Sequence, residues 1–367
     1  MRKWIIIIGG ILNGICVTAV IICAVLLSSI RGTLLSQRVT EQWRGDSDLR
    51  FAQVSAFFRV DEPTTEEAIN SMRAKVATSL TESSLEAEDG GRLFTDAFSA
   101  EGRVTLSRGK NQTTVAAYGI GGDFFLFHPL ELLSGSYITS DDLMKDRVVL
   151  DESLAWRFFG SSDIAGMEIT LDGRTFLIAG VVRPESDQYT QRVISGDPCV
   201  YVDYSVLAAG NSPSVDGPSV APSGASAPGI FSYEIVLPNP ITSYAVNLLR
   251  AGFPSDTVDI VENSSRYGSE RISYLIENFG SRSAENTGIL YPYWENAARL
   301  SEDYAALVTF IKNFFLALPL LTLAFLAVLG IRAIYIRRGI FWGKFGGIFS
   351  KGLDRHRVKK YERQQKA

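Results

Sequence analysis

The sequence predicts a membrane-anchored α+β protein in which two transmembrane helices flank an extracytoplasmic mixed α/β domain. Three observations predict this class: two long uncharged segments towards the ends of the chain, a basic stretch after the second of them, and alternating strand-like and helix-like patterns between them. Of the 367 residues, 46% are hydrophobic and 21% are charged. This balance is typical of a globular protein that also carries membrane segments.

The first uncharged segment, residues 4–27, contains 24 residues and is long enough to cross a bilayer core of about 30 Å. Because Arg2 and Lys3 precede it, a signal peptide is the alternative. The segment is longer than a typical signal-peptide core and no A-x-A cleavage site follows it, which favours an uncleaved anchor. Cys16 and Cys23 lie in this segment and Cys199 lies outside it, so no disulfide framework is expected.

The second uncharged segment lies within residues 313–336 and contains Pro319, which a membrane helix tolerates when neighbours satisfy the freed carbonyl. From Arg332 to Ala367 the chain carries 11 Lys/Arg and two acidic residues. Positive residues beside a span stay in the cytoplasm. We therefore predict a cytoplasmic N-terminus (residues 1–3), a basic cytoplasmic tail (residues 337–367) and an extracytoplasmic region between the spans. The tail fits anionic lipid headgroups or a cytoplasmic partner; nucleic-acid binding is not expected.

The region between the spans reads as alternating strands and helices. Residues 28–49 are expected to form a stalk, residues 50–290 a core domain and residues 291–312 a stalk helix. A strong two-residue turn signal, Asp172–Gly173, predicts a hairpin over residues 167–182. Residues 210–229 are almost wholly Gly, Ser, Pro and Ala, which predicts a flexible insertion or a linker between subdomains. Further strands are predicted at 50–60, 102–109, 111–121, 147–151 and 256–263, and helices beginning near 64 and at 152. Residues 198–210 and 231–253 are each predicted to form a strand followed by a helix.

The stretch "VVLDESLAWRFFG", residues 148–160, places Asp151 and Glu152 where a strand passes into a helix. An acidic residue favours a helix N-terminus for electrostatic and capping reasons. We therefore interpret Asp151 as the helix cap and Gly160 as the residue that ends the helix. The pairs Asp141–Asp142 and Glu66–Glu67 are likewise interpreted as solvated charges.

No catalytic, cofactor or metal site is predicted, and the chain is not expected to be an enzyme. It has two histidines, His128 and His356, and the second falls in the tail. His128 follows the apolar run "FFLF", where a packed or a surface histidine is expected rather than a catalytic base. No G-x-x-x-x-G-K-[ST] motif exists, so the chain lacks a P-loop. Asn111 and Asn263 each begin a glycosylation sequon.

A heptad-spaced apolar seam precedes the second span: Ala297, Leu300, Tyr304, Leu307 and Ile311. Arg299, Glu302 and Asp303 fall on other faces. Two interpretations remain open. The seam packs on its own domain, or it pairs with the helix after the first span or with a partner chain. In either case one helix is expected to run from the outer domain into the membrane.

From about Tyr118 to Val182 the chain resembles the extracytoplasmic core domain of MacB-type ABC transporter permeases, a group linked with FtsX-like membrane domains. Asp123-Phe124-Phe125 and Gly135 in "LLSGSYITSDDL" match the first part of the family pattern. "RVVLDESLAWRFFG" and Gly166 in "DIAGMEITLDGRTFLIAGVV" match the second part. The resemblance implies two α/β subdomains on helical stalks and coupling to a cytoplasmic ATPase by mechanotransmission.

MacB-type permeases have four spans, whereas this chain shows two. The expected function is a permease subunit or accessory whose partners are an ABC-type ATPase, a second permease chain and the lipid bilayer. A homo- or heterodimer through the stalk helices is expected. The alternative is a stand-alone, membrane-anchored extracytoplasmic binding or scaffold module that needs no ATPase.

Overall fold

The computed structural model describes residues 2–45, 47, 49–85, 91–194, 196–209, 228–254, 256–278 and 288–364, without the side chains of residues 2, 3, 5 and 337–364. The chain divides into two compact units. One contains residues 1–26 and 308–367, and the other contains residues 27–307. Most of the predicted insertion, residues 210–227, and the side chains of the predicted basic tail from residue 337 lie outside the described residues.

The described helices are α1 (Arg2–Thr33), α2 (Val39–Arg44), α3 (Glu66–Glu82), α4 (Phe124–Phe127), α5 (Glu152–Phe159), α6 (Thr190–Val193), α7 (Tyr204–Ala209), α8 (Tyr244–Gly252), α9 (Ser269–Glu277) and α10 (Tyr293–Gln364). The described strands are β1 (Phe51–Phe57), β2 (Thr95–Arg108), β3 (Asn111–Gly122), β4 (Glu131–Gly135), β5 (Arg147–Asp151), β6 (Glu168–Leu171), β7 (Arg174–Arg183), β8 (Cys199–Asp203), β9 (Ser232–Pro238) and β10 (Asp259–Glu262).

Among the described residues, two helical segments are long and apolar enough to cross a membrane, Ile6–Thr33 within α1 and Tyr293–Ile336 within α10. Within α1 the apolar stretch has a mean hydropathy of 2.5, and within α10 it has a mean hydropathy of 2.6. The helix α10 continues through Pro319. The Thr322 hydroxyl lies 2.8 Å from the Pro319 carbonyl oxygen and 2.9 Å from Asn13 Oδ1 on α1. The contact between Thr322 and Asn13 is a hydrogen bond between two apolar helices, and such bonds favour one register of the pair.

The second unit is built on one mixed sheet. Its strand order is β10-β1-β9-β2-β3-β8-β5-β7-β4, and β6 pairs with both β2 and β7. The β3–β8 and β5–β7 pairs are parallel, and the other pairs are antiparallel. The sheet is continuous from β10 to β4, and the division into two subdomains stays a prediction.

Both faces of the sheet are covered. On one face, α3, α5, α7 and α8 supply the buried apolar side chains of the larger core. On the other face, Val39 of α2, the phenylalanines of α4 and Trp294 at the start of α10 supply a second core. The sheet therefore contacts the first turns of α10 through its second face.

The predicted strand–helix turn at Asp151 is confirmed. The Asp151 carboxylate accepts hydrogen bonds from the Ser153 backbone N–H and hydroxyl, both at 2.7 Å. Leu154, Ala155 and Phe158 are buried against the sheet. The helix ends at Gly160, whose φ of 72° is left-handed. Asp151 thus caps α5, and burial raises the pKa of its carboxyl group.

Two further local predictions are confirmed and one is corrected. The Asp172–Gly173 turn joins β6 and β7 with positive φ at both residues, 47° and 82°. The apolar face of α3 is buried through Ile69, Met72 and Val76. The strand predicted from residue 102 begins instead at Thr95. The first six residues of β2 are all buried, so no apolar–polar alternation marked them as a strand.

We expect Gly135→Ala to destabilise the protein more than Gly160→Ala, although both glycines have positive φ. A Cβ at residue 135 would lie 2.0 Å from the Ala179 carbonyl oxygen, whereas nothing lies within 4 Å at residue 160. Backbone strain and the clash together should cost at least about 2 kcal/mol at residue 135, against about 1 kcal/mol at residue 160. Chemical unfolding of the full chain in detergent measures both losses. Equal losses would contradict the steric argument.

Removing the cap of α5 should have a small, defined cost. Asp151→Ala should lower the free energy of unfolding by about 1 kcal/mol, because the Ser153 N–H loses its acceptor. Asp151→Asn keeps an acceptor oxygen and should retain most of the stability. The same unfolding experiment measures this pair, and an Asn variant as unstable as the Ala variant would argue against capping.

Candidate functional site

Of the two roles predicted for His128, packed or on the surface, the structure shows the packed one. His128 is fully buried, and its Nε2 lies 2.5 Å from Glu234 Oε2. Its ring packs against Trp294, with centroids 4.3 Å apart. The Cys199 side chain is half-buried, and desolvation raises the pKa of its thiol to about 12, so the thiol is protonated at neutral pH. Among the described residues, no group of three or more His, Cys, Asp or Glu side chains is placed to hold a metal ion.

The arrangement that stands out is the docking of the first turns of α10 on the sheet. Its buried face carries small and acidic side chains rather than the predicted apolar seam. Of the seam, Ala297 is buried, but Tyr304, Leu307 and Ile311 are exposed by 36%, 55% and 38%. The buried residues of the opposing face are Trp294, Glu295, Ala298, Ser301, Glu302, Ala305 and Ala306.

Glu302, which the sequence places on a face of the helix other than the seam, is fully buried. The cause is Arg266, whose side chain is 0% exposed and lies between Glu295 and Glu302. Arg266 Nη2 donates to Glu295 Oε2 at 2.6 Å, and Nη1 lies 3.3 Å from Glu302 Oε1. Buried charges are stable only when paired. Docking of α10 is therefore specified by charge as well as by apolar contact.

Two further arginines, Arg299 and Arg271, lie around Arg266, Glu295 and Glu302 and balance the excess negative charge of the two carboxylates. Arg299 donates to Glu295 at 2.9 Å and to Asp259 of β10 at 2.7 Å. Arg271 of α9 lies 3.7 Å from Glu302. Burial alone would lower the pKa of the Arg266 guanidinium, but the two carboxylates outweigh it and the pKa lies above its ordinary value. Arg266 therefore stays charged. We call Arg266, Glu295, Glu302 and Arg299 the charge cluster.

The residues that follow β10 connect the charge cluster to the chain that leaves α1. We call residues 263–267 the junction segment. On one side, Arg31 donates to the Tyr267 carbonyl oxygen at 3.1 Å, and the backbone N–H of Gln53 donates to the Ser264 hydroxyl at 2.7 Å. On the other side, the Tyr267 hydroxyl lies 2.6 Å from the Ser301 hydroxyl of α10. The junction segment therefore contacts both the chain that leaves α1 and the first turns of α10.

A second polar path runs from the sheet to the same segment. Glu234 of β9 accepts a hydrogen bond from the Ser55 hydroxyl of β1 at 3.0 Å, in addition to its contact with His128. Ser55 also lies 3.2 Å from Asn263 Oδ1. Asn263 is 3% exposed, so its sequon is hidden in the folded protein, whereas Asn111 is exposed at a hairpin. The sheet, the junction segment and α10 thus share one buried polar network.

Reasoning from the sequence missed Arg266, because a lone arginine in a polar segment carries no sign of burial. A signal did exist in α10. Glu295 and Glu302 are seven residues apart, and the small residues Ala298, Ser301 and Ala305 lie on the same face. Small residues allow close helix docking, so two acids among them predict a buried cationic partner.

Comparisons with known proteins give a consistent assignment. The family profile of the MacB-like periplasmic core domain matches residues 10–231, more than half of the chain. The match begins inside α1 and ends just before β9, so it does not include the junction segment or α10. No curated protein sequence matches the chain.

Two solved structures resemble parts of the chain. The periplasmic region of MacB from Actinobacillus actinomycetemcomitans is 18% identical, with 62% of this chain and 92% of that chain covered and a TM-score of 0.38. The extracellular domain of the noncanonic ABC-type transporter YknZ from Gram-positive bacteria is 15% identical, with 57% and 99% covered and a TM-score of 0.36. Because both TM-scores are below 0.5, these likenesses support no further conclusion.

Arg266→Met should be strongly destabilising, because it leaves two buried carboxylates without their central partner. We expect a loss of about 3–5 kcal/mol in the free energy of unfolding of the full chain. Arg271→Gln is the matched control, since Arg271 is 34% exposed and 3.7 Å from Glu302. It should cost less than about 1 kcal/mol.

The triple variant Arg266→Met, Glu295→Met, Glu302→Leu removes the buried charges together and should recover most of the stability that the single variant loses. A triple variant as unstable as Arg266→Met would show that packing, rather than charge pairing, makes Arg266 essential.

Proposed function

The chain belongs to the family of proteins with a MacB-like periplasmic core domain, and from this membership we propose that it couples an extracytoplasmic domain to a cytoplasmic ATPase by mechanotransmission. The family is that of ABC transporter permeases, so the chain is a membrane-anchored, permease-type subunit. Its context is an ABC transporter. The coupling, the arrangement of the termini and the individual partners are the proposed part.

In the proposed topology, residues 1–3 and 337–367 are cytoplasmic, residues 4–27 and 313–336 cross the membrane, and residues 28–312 are extracytoplasmic. The excess of Lys and Arg after the second apolar segment supports this orientation. Within the extracytoplasmic region, residues 28–49 and 291–312 would act as stalks, and residues 50–290 as the core domain with its two subdomains and the 210–229 insertion.

The observation that carries the proposal is the charge cluster at the start of α10. This helix continues without interruption from Tyr293 through its apolar stretch. Separating its first turns from the sheet would leave Arg266 and two carboxylates buried without partners or force them into water. When α10 moves, we expect the junction segment and β10 to move with it, because sliding of α10 against the sheet would break the charge cluster.

The proposed partners are an ATP-binding subunit, a second permease chain and the lipid bilayer. Tyr304, Leu307 and Ile311 support a homo- or heterodimer through the stalk helices, because this heptad-spaced apolar seam is exposed. The alternative function is a stand-alone, membrane-anchored binding or scaffold module that needs no ATPase. Neither function assigns catalysis to this chain.

The two functions predict different results when the chain is purified from its membrane, because only the first requires a bound ATP-binding subunit. Purification of the full chain from its native membrane in mild detergent should recover an ATP-binding subunit in a fixed ratio. Binding of ATP to that complex should change amide hydrogen exchange in residues 293–304, because the helix transmits the motion. Repeated recovery of the chain without an ATP-binding subunit would contradict the proposal and favour the scaffold function.

A further inference from the structure

A cleft in the second unit lies away from the charge cluster. It has a volume of about 540 Å³ and lies between α3 and the start of β2. Ala77 and Leu80 of α3 and Leu93 and Phe94 before β2 provide apolar lining. This volume is within the range of about 300–1,000 Å³ that small-molecule sites occupy.

The charged side chains at one end of the cleft neutralise one another. Arg73 binds Asp96 through two hydrogen bonds, of 2.7 and 3.0 Å, and its third nitrogen donates to Asn70 at 3.0 Å. Asp96 also accepts from the Tyr233 hydroxyl at 3.1 Å. All three guanidinium nitrogens of Arg73 therefore have partners, and this end of the cleft is neutral and fixed.

Arg92 differs from Arg73 because its donors are incompletely used. Its Nη1 donates to Asp123 Oδ2 at 2.8 Å, and its guanidinium lies over the Trp43 ring at 5.3 Å from the centroid. These contacts hold the side chain in place although it is 63% exposed. Its Nε and Nη2 donate to none of the described residues. The Asp123 carboxylate also accepts from the Thr95 hydroxyl at 2.7 Å.

The cleft thus presents apolar walls and, at its mouth, the Arg92 guanidinium, two nitrogens of which donate to none of the described residues. Of the described residues that line the cleft, the two carboxylates, Asp96 and Asp123, are paired with Arg73 and Arg92, so the groups left there to recognise a ligand are donors. A guanidinium offers parallel N–H groups whose geometry matches a carboxylate. We propose that this cleft binds a small amphipathic carboxylate, with the apolar body against Leu80 and Phe94 and the carboxylate on Arg92.

This binding goes beyond the coupling function and does not depend on it, because the test uses the purified chain alone. The probe is 4-phenylbutyrate, added to the full chain in phosphatidylcholine nanodiscs and followed by saturation-transfer NMR, with empty nanodiscs as the blank. The charge-reversed analogue 4-phenylbutylamine and the uncharged 4-phenylbutanol are the ligand controls. We expect the carboxylate to bind about tenfold more tightly than either control.

Two pairs of variants locate the site. Ala77→Trp fills the cleft and should abolish binding, whereas Ala74→Trp, on the same helix but outside the cleft lining, should leave it unchanged. Both alanines are exposed, so neither change disturbs the core. Arg92→Gln should weaken binding about tenfold, and Arg92→Lys should restore part of the loss.

Three outcomes would overturn the proposal: no binding of the carboxylate above the blank, equal binding of all three probes, or binding that survives Ala77→Trp. Melting temperatures of all four variants establish that each is folded. A failure here would leave the ATPase proposal untouched, and recovery of the chain without an ATPase would leave this result unchanged.

Discussion

The buried guanidinium of Arg266 determines how the first turns of α10 pack on the sheet. Arg266 lies where water does not reach, and it is stable there because Glu295 and Glu302 approach it from one face of α10. Apolar packing alone tolerates sliding by a turn of helix, since Ala and Ser present similar surfaces at several registers. A guanidinium between two carboxylates does not tolerate such sliding, so the charge cluster fixes the register in which the first turns of α10 pack on the sheet.

The pairing of strands in the sheet explains why the junction segment contacts both the chain that leaves α1 and the first turns of α10. β1 follows the chain from α1, and β10 leads into the junction segment. The two strands pair directly, with Val54 opposite Glu262 and Phe57 opposite Asp259. This pairing brings together stretches that are more than 200 residues apart in sequence. The hydrogen bonds of Ser264 with Thr40 and Gln53 then follow from strand register rather than from a specialised loop.

The sequence correctly predicted the features that depend only on residues close to one another in the chain. The cap at Asp151, the turn at Asp172–Gly173 and the apolar face of α3 each depend on residues within one or two helical turns, and the sequence was sufficient for them. The order of strands in the sheet and the burial of Glu302 depend on partners far along the chain. Glu295 and Glu302, seven residues apart among small residues, indicate a cationic partner, but only the strand order brings Arg266 to them. The cleft beside Arg92 was unpredictable for the same reason.

The burial of Asn263 has a consequence for how the protein can be produced. Its Asn-Ser-Ser sequence is accessible while the chain is unfolded and hidden once Ser55 and the junction segment have formed their contacts. In a host that glycosylates secreted chains during synthesis, a sugar on this asparagine would occupy the space that the sheet needs. The junction segment could not close, and the helix would lose its attachment. A sugar at exposed Asn111 would be harmless, so a bacterial host, or replacement of Ser265 by alanine, suits preparation of the folded protein.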